Sequence, residues 1–230
     1  MSNTDIYLSK AASWRDTLKL EVGSEPPKKE NIPEICRSGL LEWAQHGTLF
    51  SEKLVELMCE GLGVRPGKLK EMRCTESVIL LGHFYPHCPQ PDLTAGLVPH
   101  TDHTLVTILL QDQTGGLQVK RDNQWVSVVP IDGAITVNII SNDKYKSVEH
   151  RVLANGSAEA RISIPLLFHP AGVCNEDGDS GYYGPLVELL STENPPKYRK
   201  FTLKEFWKQS QGKAISPNIV TNAFKIVAEG

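Results

Sequence analysis

From Val78 to Phe168 the sequence breaks into short apolar, β-branched runs, and this constrains the fold more than any other feature of the chain. The runs cover 78–85, 97–101, 104–111, 116–120, 124–129, 134–140, 146–153 and 161–168, and Gly, Pro, Asp and Asn punctuate the gaps between them. Short strands at regular spacing with turn residues between them are the signature of a β-sandwich or barrel. A chain of 230 residues suffices for one domain, or one core with appendages, and for a sizeable interior.

The flanks read differently. Residues 1–30 look irregular, with Trp14 as an anchor and Pro26-Pro27 closing the segment. Residues 33–62 carry the best helical pattern: Ile35, Leu40, Leu41, Trp43, Leu49, Phe50, Leu54, Leu57, Met58 and Leu62 recur at three-to-four spacing, which predicts a stripe packed into the core. Pro33 suits the helix start, and Gly61, Gly63 and Pro66 stop it. A short helix is predicted at 66–72. Beyond Asp177 the sequence turns polar, and Pro185–Leu190 and Thr202–Trp207 read as helices covering the barrel. The resulting division is a helical supporting segment at 1–76, a β core at 77–172 and a C-terminal helical cover at 173–230. There is no internal repeat, low-complexity tract or linker.

Composition narrows the partners. A net charge of −3 offers no general attraction to nucleic acid or anionic membrane. With 40% hydrophobic and 22% charged residues the chain is ordinary for a globular protein, and no apolar run reaches membrane-spanning length. The polar start Met1-Ser2-Asn3-Thr4-Asp5 does not resemble a signal peptide. The five cysteines are scattered and lack Cys-x-x-Cys spacing, so free thiols in a reducing cytoplasm are expected, not a cysteine zinc site. We expect a monomer acting on small molecules, with neither nucleic acid nor membrane as partner.

The chemistry sits on three of the runs. His100 and Asp102 are two apart in an apolar context, so on a strand they project from one face. Ser147-Val148-Glu149-His150-Arg151-Val152-Leu153 is a further strand-like run with one central histidine. If the two strands lie side by side, or opposite in a barrel, two imidazoles and a carboxylate meet with other coordination positions open, the arrangement of non-haem Fe(II) oxygenases. Arg161 and Ser163 share a face of the next run, where a guanidinium needs an anionic partner and the pair can receive a carboxylate.

The order of these elements resembles a known family. Gly82-His83-Phe84-Tyr85-Pro86-His87-Cys88-Pro89-Gln90-Pro91, His100-Thr101-Asp102, Leu109-Leu110-Gln111-Asp112, Gly115-Gly116-Leu117-Gln118-Val119, Asn142-Asp143 through His150-Arg151-Val152, and Arg161-Ile162-Ser163 together are similar to the core of plant Fe(II)/2-oxoglutarate-dependent dioxygenases. Ser13-Trp14-Arg15-Asp16-Thr17 and Asn194-Pro195-Pro196-Lys197-Tyr198 resemble the branch of 1-aminocyclopropane-1-carboxylate oxidase homologues and deacetoxyvindoline 4-hydroxylase-like enzymes. The resemblance implies a mainly β chain with flanking helices around a double-stranded β-helix, or jelly roll. It implies Fe(II) on His100, Asp102 and His150, and 2-oxoglutarate on Arg161, Ser163 and Tyr85. It further implies dioxygen as co-substrate, ascorbate as a candidate reductant, and oxidation of a small plant metabolite, by hydroxylation, with succinate and CO2 as co-products. No side-chain acid or base is required. His83 is not expected to contact ligand. His103 is as readily a pocket residue as a solvent-facing one. His87 and His169 read as structural, and Glu149, beside His150, should point away from the metal.

Two departures from the family pattern carry their own expectation. Members have a further N-terminal region before the part that begins here at Met1. Their equivalent of Gly133-Ala134-Ile135-Thr136-Val137-Asn138-Ile139 also runs into Gly-Asp-x-Leu-Gln, whereas here Ile139 is followed by Ile140-Ser141-Asn142-Asp143. A shortened connection should disturb the register feeding His150, because strand side chains alternate with period two. The alternative function is therefore a catalytically impaired relative that keeps the barrel. A zinc hydrolase on the same ligands would leave Arg161 and Ser163 without a task.

Overall fold

The computed structural model describes residues 13–22, 27, 29–102, 104–129, 141–170, 181–210 and 219–226. Its centre is a pair of four-stranded antiparallel sheets. The first has the order β1 (Asp16–Val22), β2 (Ser77–Tyr85), β8 (Arg161–His169) and β4 (Val106–Gln111). The second has the order β3 (Ala95–His100), β7 (His150–Leu153), β5 (Leu117–Arg121) and β6 (Gln124–Ser127). Most neighbours in both sheets are distant in sequence, as in the expected jelly roll. The run at 134–140 lies outside the described residues.

β1 corrects the reading of residues 1–30 as irregular. Its seven residues pair along their whole length with β2, from Asp16 opposite Phe84 to Val22 opposite Val78. The alternation Leu18, Leu20, Val22 was legible, but the strand stands far from its partner in the chain. His150 also stands at the first position of β7 and not in the middle of a strand, because ladder partners exist only for 150–153. Residues ahead of it are held in a turn, where the Ser141 hydroxyl donates to the Tyr145 carbonyl at 3.1 Å.

The long helix α1 (Glu34–Leu62) forms where the periodicity predicts it. It ends at Gly63, whose φ of 77° suits a residue without a Cβ; its N–H donates to the Glu60 carbonyl and that of Val64 to the Cys59 carbonyl. The buried face matches the predicted large-residue stripe only in part: Leu40, Met58 and Leu62 are buried and Leu41, Trp43 and Leu54 pack against the core. It follows Leu40, Ala44, Gly47, Ser51, Val55, Met58 and Leu62, whereas Ile35, Leu49, Phe50 and Leu57 are exposed. The reason is close approach: the Trp43 indole donates to the Ile164 carbonyl of β8 at 3.1 Å, and a Cβ on Gly47 would collide with a methyl of Leu166. At Gly47 a side chain enters only by displacing Leu166. Gly47→Ala should therefore lower stability by up to about 2 kcal/mol net in urea denaturation, overpacking costing about 1–3 kcal/mol against about 1 regained in helix propensity. Unchanged stability would mean that Leu166, fully buried, repacks freely.

The short helix α2 (Lys68–Glu71) matches the prediction at 66–72, and α3 (Leu203–Ser210) that at 202–207. At 185–190 only a single 3-10 turn, Val187–Leu189, forms. Leu186 and Leu190 on either side are extended, and the Asn194 side-chain amide takes the Leu189 carbonyl at 2.7 Å instead of a next helical turn. No described helix is long and apolar enough to cross a membrane.

The main apolar cluster joins the outer face of the first sheet (Val78, Leu80, Ile108, Leu166, Phe168) to α1 and to the C-terminal aromatic residues Phe201, Phe206 and Phe224. Between the sheets the buried apolar cluster is much smaller, formed by Tyr85, Leu117 and Val152. That thin packing leaves a cavity.

Candidate functional site

The cavity between the sheets has a volume of about 390 Å³. Strand alternation decides what faces it: every second residue of β8, namely Arg161, Ser163, Pro165 and Leu167, and likewise Leu81, His83 and Tyr85 of β2. The second sheet contributes Leu97, His100, Leu117, Val119, His150 and Val152.

His100 closes β3 and His150 opens β7, and the two are direct cross-strand partners. Their rings stand 4.2 Å apart, centroid to centroid. The β3–β7 ladder shifts register between Ala95 and Leu97 and again between Leu97 and His100, and with both shifts His150 stands opposite His100. The connection expected to disturb the strand feeding His150, 133–140, lies outside the described residues. Asp102 stands just past the end of β3, not on the strand, and still turns to the same side.

The proton positions of the histidines follow from their partners. His100 Nδ1 lies 2.9 Å from the Val98 carbonyl and His150 Nδ1 lies 3.1 Å from the Val148 carbonyl. A carbonyl only accepts, so both Nδ1 atoms carry the proton and each Nε2 of the neutral ring presents a lone pair. Both Nε2 atoms point at Asp102 Oδ1, each at 3.6 Å, too long for a hydrogen bond. Burial alone would raise the Asp102 carboxyl, but the polar surroundings supplied by His100, His150 and Thr107 outweigh it and hold it well below the usual carboxylate range. Burial, with the neighbouring His100, lowers the pKa of His150. The three ligand atoms lie within 4.8 Å of one another. Two imidazole lone pairs and an ionised carboxylate converging without a shared proton form a donor set that fits a cation. Glu149 turns away from it, to a salt bridge with Lys120 at 3.0 Å.

Arg161 and Ser163 lie on the facing sheet. Arg161 is 2% exposed, and three neutral acceptors hold it: the Ser163 hydroxyl at 3.1 Å, the Gln111 side-chain oxygen at 2.7 Å and the Gly115 carbonyl. The Tyr85 ring lies 4.9 Å from the guanidinium. Gly115 and Gly116, at φ of 81° and 87°, turn the chain after β4 so that this carbonyl reaches Arg161. Asp112 ties the same turn to the start of β8 by accepting from the N–H groups of Ile162 and Thr114. Asn155 donates to the carbonyls of Tyr85 and Glu159 and fixes the approach to Arg161. A buried guanidinium with only neutral acceptors retains its full charge, so the cavity fits an anion there.

Two residues, Gln111 and Arg15, were given no role by the sequence reading, and His83 was read there as making no ligand contact. Gln111, opposite Ser163 in the β4–β8 ladder, orients Arg161. Arg15 lines the cavity, as does His83, whose Nδ1 is 3.0 Å from the Thr17 hydroxyl. Arg15 and Thr17 are two apart, so the alternation of β1 carried the signal once β1 itself was recognised. His103 lies outside the described residues. His87 holds the Ser157 carbonyl at 3.0 Å near the surface, and the His169 ring lies tilted against Trp207, 5.2 Å between centroids.

His83 makes a pH prediction. Burial, then the charges of Arg15 and Arg161 with a smaller effect of His100, push its pKa down to about 3, and Asp102 opposes them only in part. The unfolded chain binds that proton from the ordinary value of 6.5, so it holds more protons than the folded chain below this pH. His83 therefore stabilises fully above pH 6.5 and progressively less as the pH falls toward about 3. His83→Gln should flatten the decline of unfolding free energy across that window, read as the difference between variant and parent in urea titrations. Parallel curves would mean that His83 is accessible to protons in the folded chain.

Comparison with known proteins adds the relatives. The profile of the 2OG-Fe(II) oxygenase superfamily matches residues 75–170. The chain is 46% identical over 222 residues to 1-aminocyclopropane-1-carboxylate oxidase homolog 5 of Arabidopsis thaliana, covering 94% of this chain and 55% of that protein. It is 46% identical over 220 residues to homolog 1 of the same plant, covering 93% and 59%. The chain thus spans rather more than half the length of these relatives. Among solved structures, JOX2 in complex with 2OG, Fe and JA superposes with a TM-score of 0.83 at 28% identity, over 94% of this chain and 65% of that one. The rice dioxygenase for auxin oxidation gives a TM-score of 0.74 at 18% identity, over 94% and 74%, a likeness of fold.

Proposed function

We propose that the chain belongs to the 2OG-Fe(II) oxygenase superfamily, whose family model matches residues 75–170, that it binds Fe(II) through His100, Asp102 and His150, and that it acts as an Fe(II)- and 2-oxoglutarate-dependent dioxygenase. The observation that carries the reading is the pairing, across one cavity, of a proton-free His-Asp-His donor set with a buried guanidinium. The reaction we infer is oxidation, by hydroxylation, of a small plant metabolite in the cytoplasm, with succinate and CO2 as co-products. Fe(II) with 2-oxoglutarate, when bound, supplies the activation of dioxygen.

The chain's own residues supply geometry, charge and shielding. The Val98 and Val148 carbonyls hold the two imidazoles in the tautomer whose Nε2 is free to ligate. Arg161 and Ser163 are the proposed seat of the distal carboxylate of 2-oxoglutarate, with Tyr85 beside the guanidinium. Leu97, Leu109, Leu117 and Val152 give the cavity a dry wall, which strengthens both charge interactions.

The test is anaerobic titration of the metal-free chain with Fe(II), then with 2-oxoglutarate, followed by visible absorption, and afterwards succinate release in air. The reading expects a stoichiometric iron complex whose absorption changes on adding the oxoacid. Preference for zinc with indifference to the oxoacid would overturn it. Iron and oxoacid binding without succinate release over a broad metabolite panel would reduce it to a binding domain.

A further inference from the structure

The co-substrate residues proposed above stand at one end of the cavity, and strand register shows what stands at the other. On β8 the cavity-facing residues run Arg161, Ser163, Pro165, Leu167. Their ladder partners are Tyr85 at Arg161, His83 at Ser163 and Thr107 at Leu167. Leu80 pairs with Leu166, so Leu81 lies between the Ser163 and Leu167 rows. The second sheet keeps the same order. A Cβ on Gly116 would touch Arg161 and Val152 alike, which puts Val152 at the guanidinium end. His150 comes two residues before Val152, and Val148 two before that.

The metal donors fall partway along this axis. Thr107, beside Leu167, belongs to the polar surroundings of Asp102, and His150 lies between Val152 and Val148. The path from Arg161 therefore passes Ser163 and His83, reaches the donor set, and ends among Leu81, Leu167 and Val148. That end is the open one. Val148 is 46% exposed, and Leu81 and Leu167 are only half-buried, whereas Leu80 and Leu166 beside them are fully buried in the core. A single exposed apolar residue is ordinary. Three from separate segments, gathered about one donor set at a cavity opening, are the wall of a site. With about 390 Å³ in all, part of it for the oxoacid, the cavity takes only a small molecule there.

We propose that Leu81, Leu167 and Val148 form the substrate subsite and that it takes an uncharged apolar group, so that the portion of the substrate brought to the metal is hydrocarbon. None of the three side chains can donate or accept a hydrogen bond. Binding there comes from burial of apolar surface, which sorts molecules by size and shape. This rests on the assignment of His100, Asp102 and His150 to Fe(II) and of Arg161 to 2-oxoglutarate.

The test uses the full chain with Fe(II) and saturating 2-oxoglutarate under argon, and isothermal calorimetry with benzyl alcohol, 2-phenylethanol and 3-phenylpropanol. Parent affinity should rise about fourfold with each added methylene, the value of burying one CH2 group. Leu167→Asn should flatten that rise and weaken 3-phenylpropanol by about tenfold. Leu167→Met should keep the rise. Val148→Thr, at an exposed position that the fold does not depend on, should act in the same direction as Leu167→Asn and decides the matter if that variant misfolds. Affinity for 2-oxoglutarate should be the same in all. No binding of the alcohols by the parent, or an unchanged rise in the folded variants, overturns the proposal. So does strict competition between the alcohols and 2-oxoglutarate, which would seat them at Arg161. The two readings fail separately. A chain that takes up neither iron nor the oxoacid, but shows the Leu167-dependent rise when metal-free, sinks the dioxygenase reading and leaves the subsite standing. Normal uptake of iron and oxoacid with no rise along the series does the reverse.

Discussion

Replacing His150 by alanine is expected to abolish stoichiometric Fe(II) binding while leaving the fold in place. The donor set has three members, and His150 supplies one of its two imidazole lone pairs. Removing only a supporting partner of a metal ligand costs about 10–100-fold in affinity, so loss of a ligand should exceed that range. The fold should tolerate the change. His150 stands at the end of a four-residue strand, and its one side-chain hydrogen bond is to the local carbonyl of Val148. Asp102→Ala should have the same effect on iron, for it removes the carboxylate on which both Nε2 atoms converge. Glu149→Gln is the contrast: one residue away, but turned outward to Lys120, it should leave iron affinity untouched. Anaerobic iron titration with circular dichroism on the same samples reads all three. Full iron affinity in His150→Ala would remove His150 from the proposed ligand set.

Arg161→Ala is expected to weaken 2-oxoglutarate binding by about 2–5 kcal/mol, the usual cost of truncating one partner of a buried, hydrogen-bonded charge pair. Iron should stay bound, because Arg161 lies on β8, in the sheet facing β3 and β7. Alanine also strips the Gln111, Gly115 and Ser163 oxygens of a shared donor, so some stability is lost as well. Arg161→Lys separates the two effects. It keeps the charge and loses the planar fork, and should fall between parent and alanine in affinity for the oxoacid. Calorimetry with 2-oxoglutarate on the iron-loaded chain makes the measurement. Equal affinity in parent and Arg161→Ala would instead favour chemistry that needs no oxoacid, with ascorbate as reductant.

How much of this was legible in the sequence can be followed residue by residue. The pairing of Arg161 with Ser163 was legible because both lie on one strand, where period-two alternation needs no partner to be known. The start and end of α1 were legible for the same local reason, since Pro33, Gly61 and Gly63 act on their own turn of chain. The buried face of α1 was legible only in part, through Leu40, Met58 and Leu62. Periodicity favoured Leu49, Phe50 and Leu57, but the approach of β8 selected Ala44, Gly47 and Ser51, and how near a sheet comes is not a property of the helix. β1 was missed although its alternation is regular, because its partner β2 begins more than fifty residues later.

For the site, the sequence by itself determined the inventory: two histidines and an aspartate of the right types, an arginine and a serine on one face, and a set of short strands to carry them. Only the tertiary structure decided that these groups meet. His100 and His150 become neighbours through a ladder that joins residues fifty apart, and Arg161 comes to face them because the second sheet closes over the first. Arg15 entered the cavity by the same route, through a β1–β2 register with no local signature. The physical reason is common to all of these. A strand dictates which side its residues face within a few ångströms, but its ladder partner and the sheet opposite are chosen by packing and hydrogen bonding summed over the whole domain.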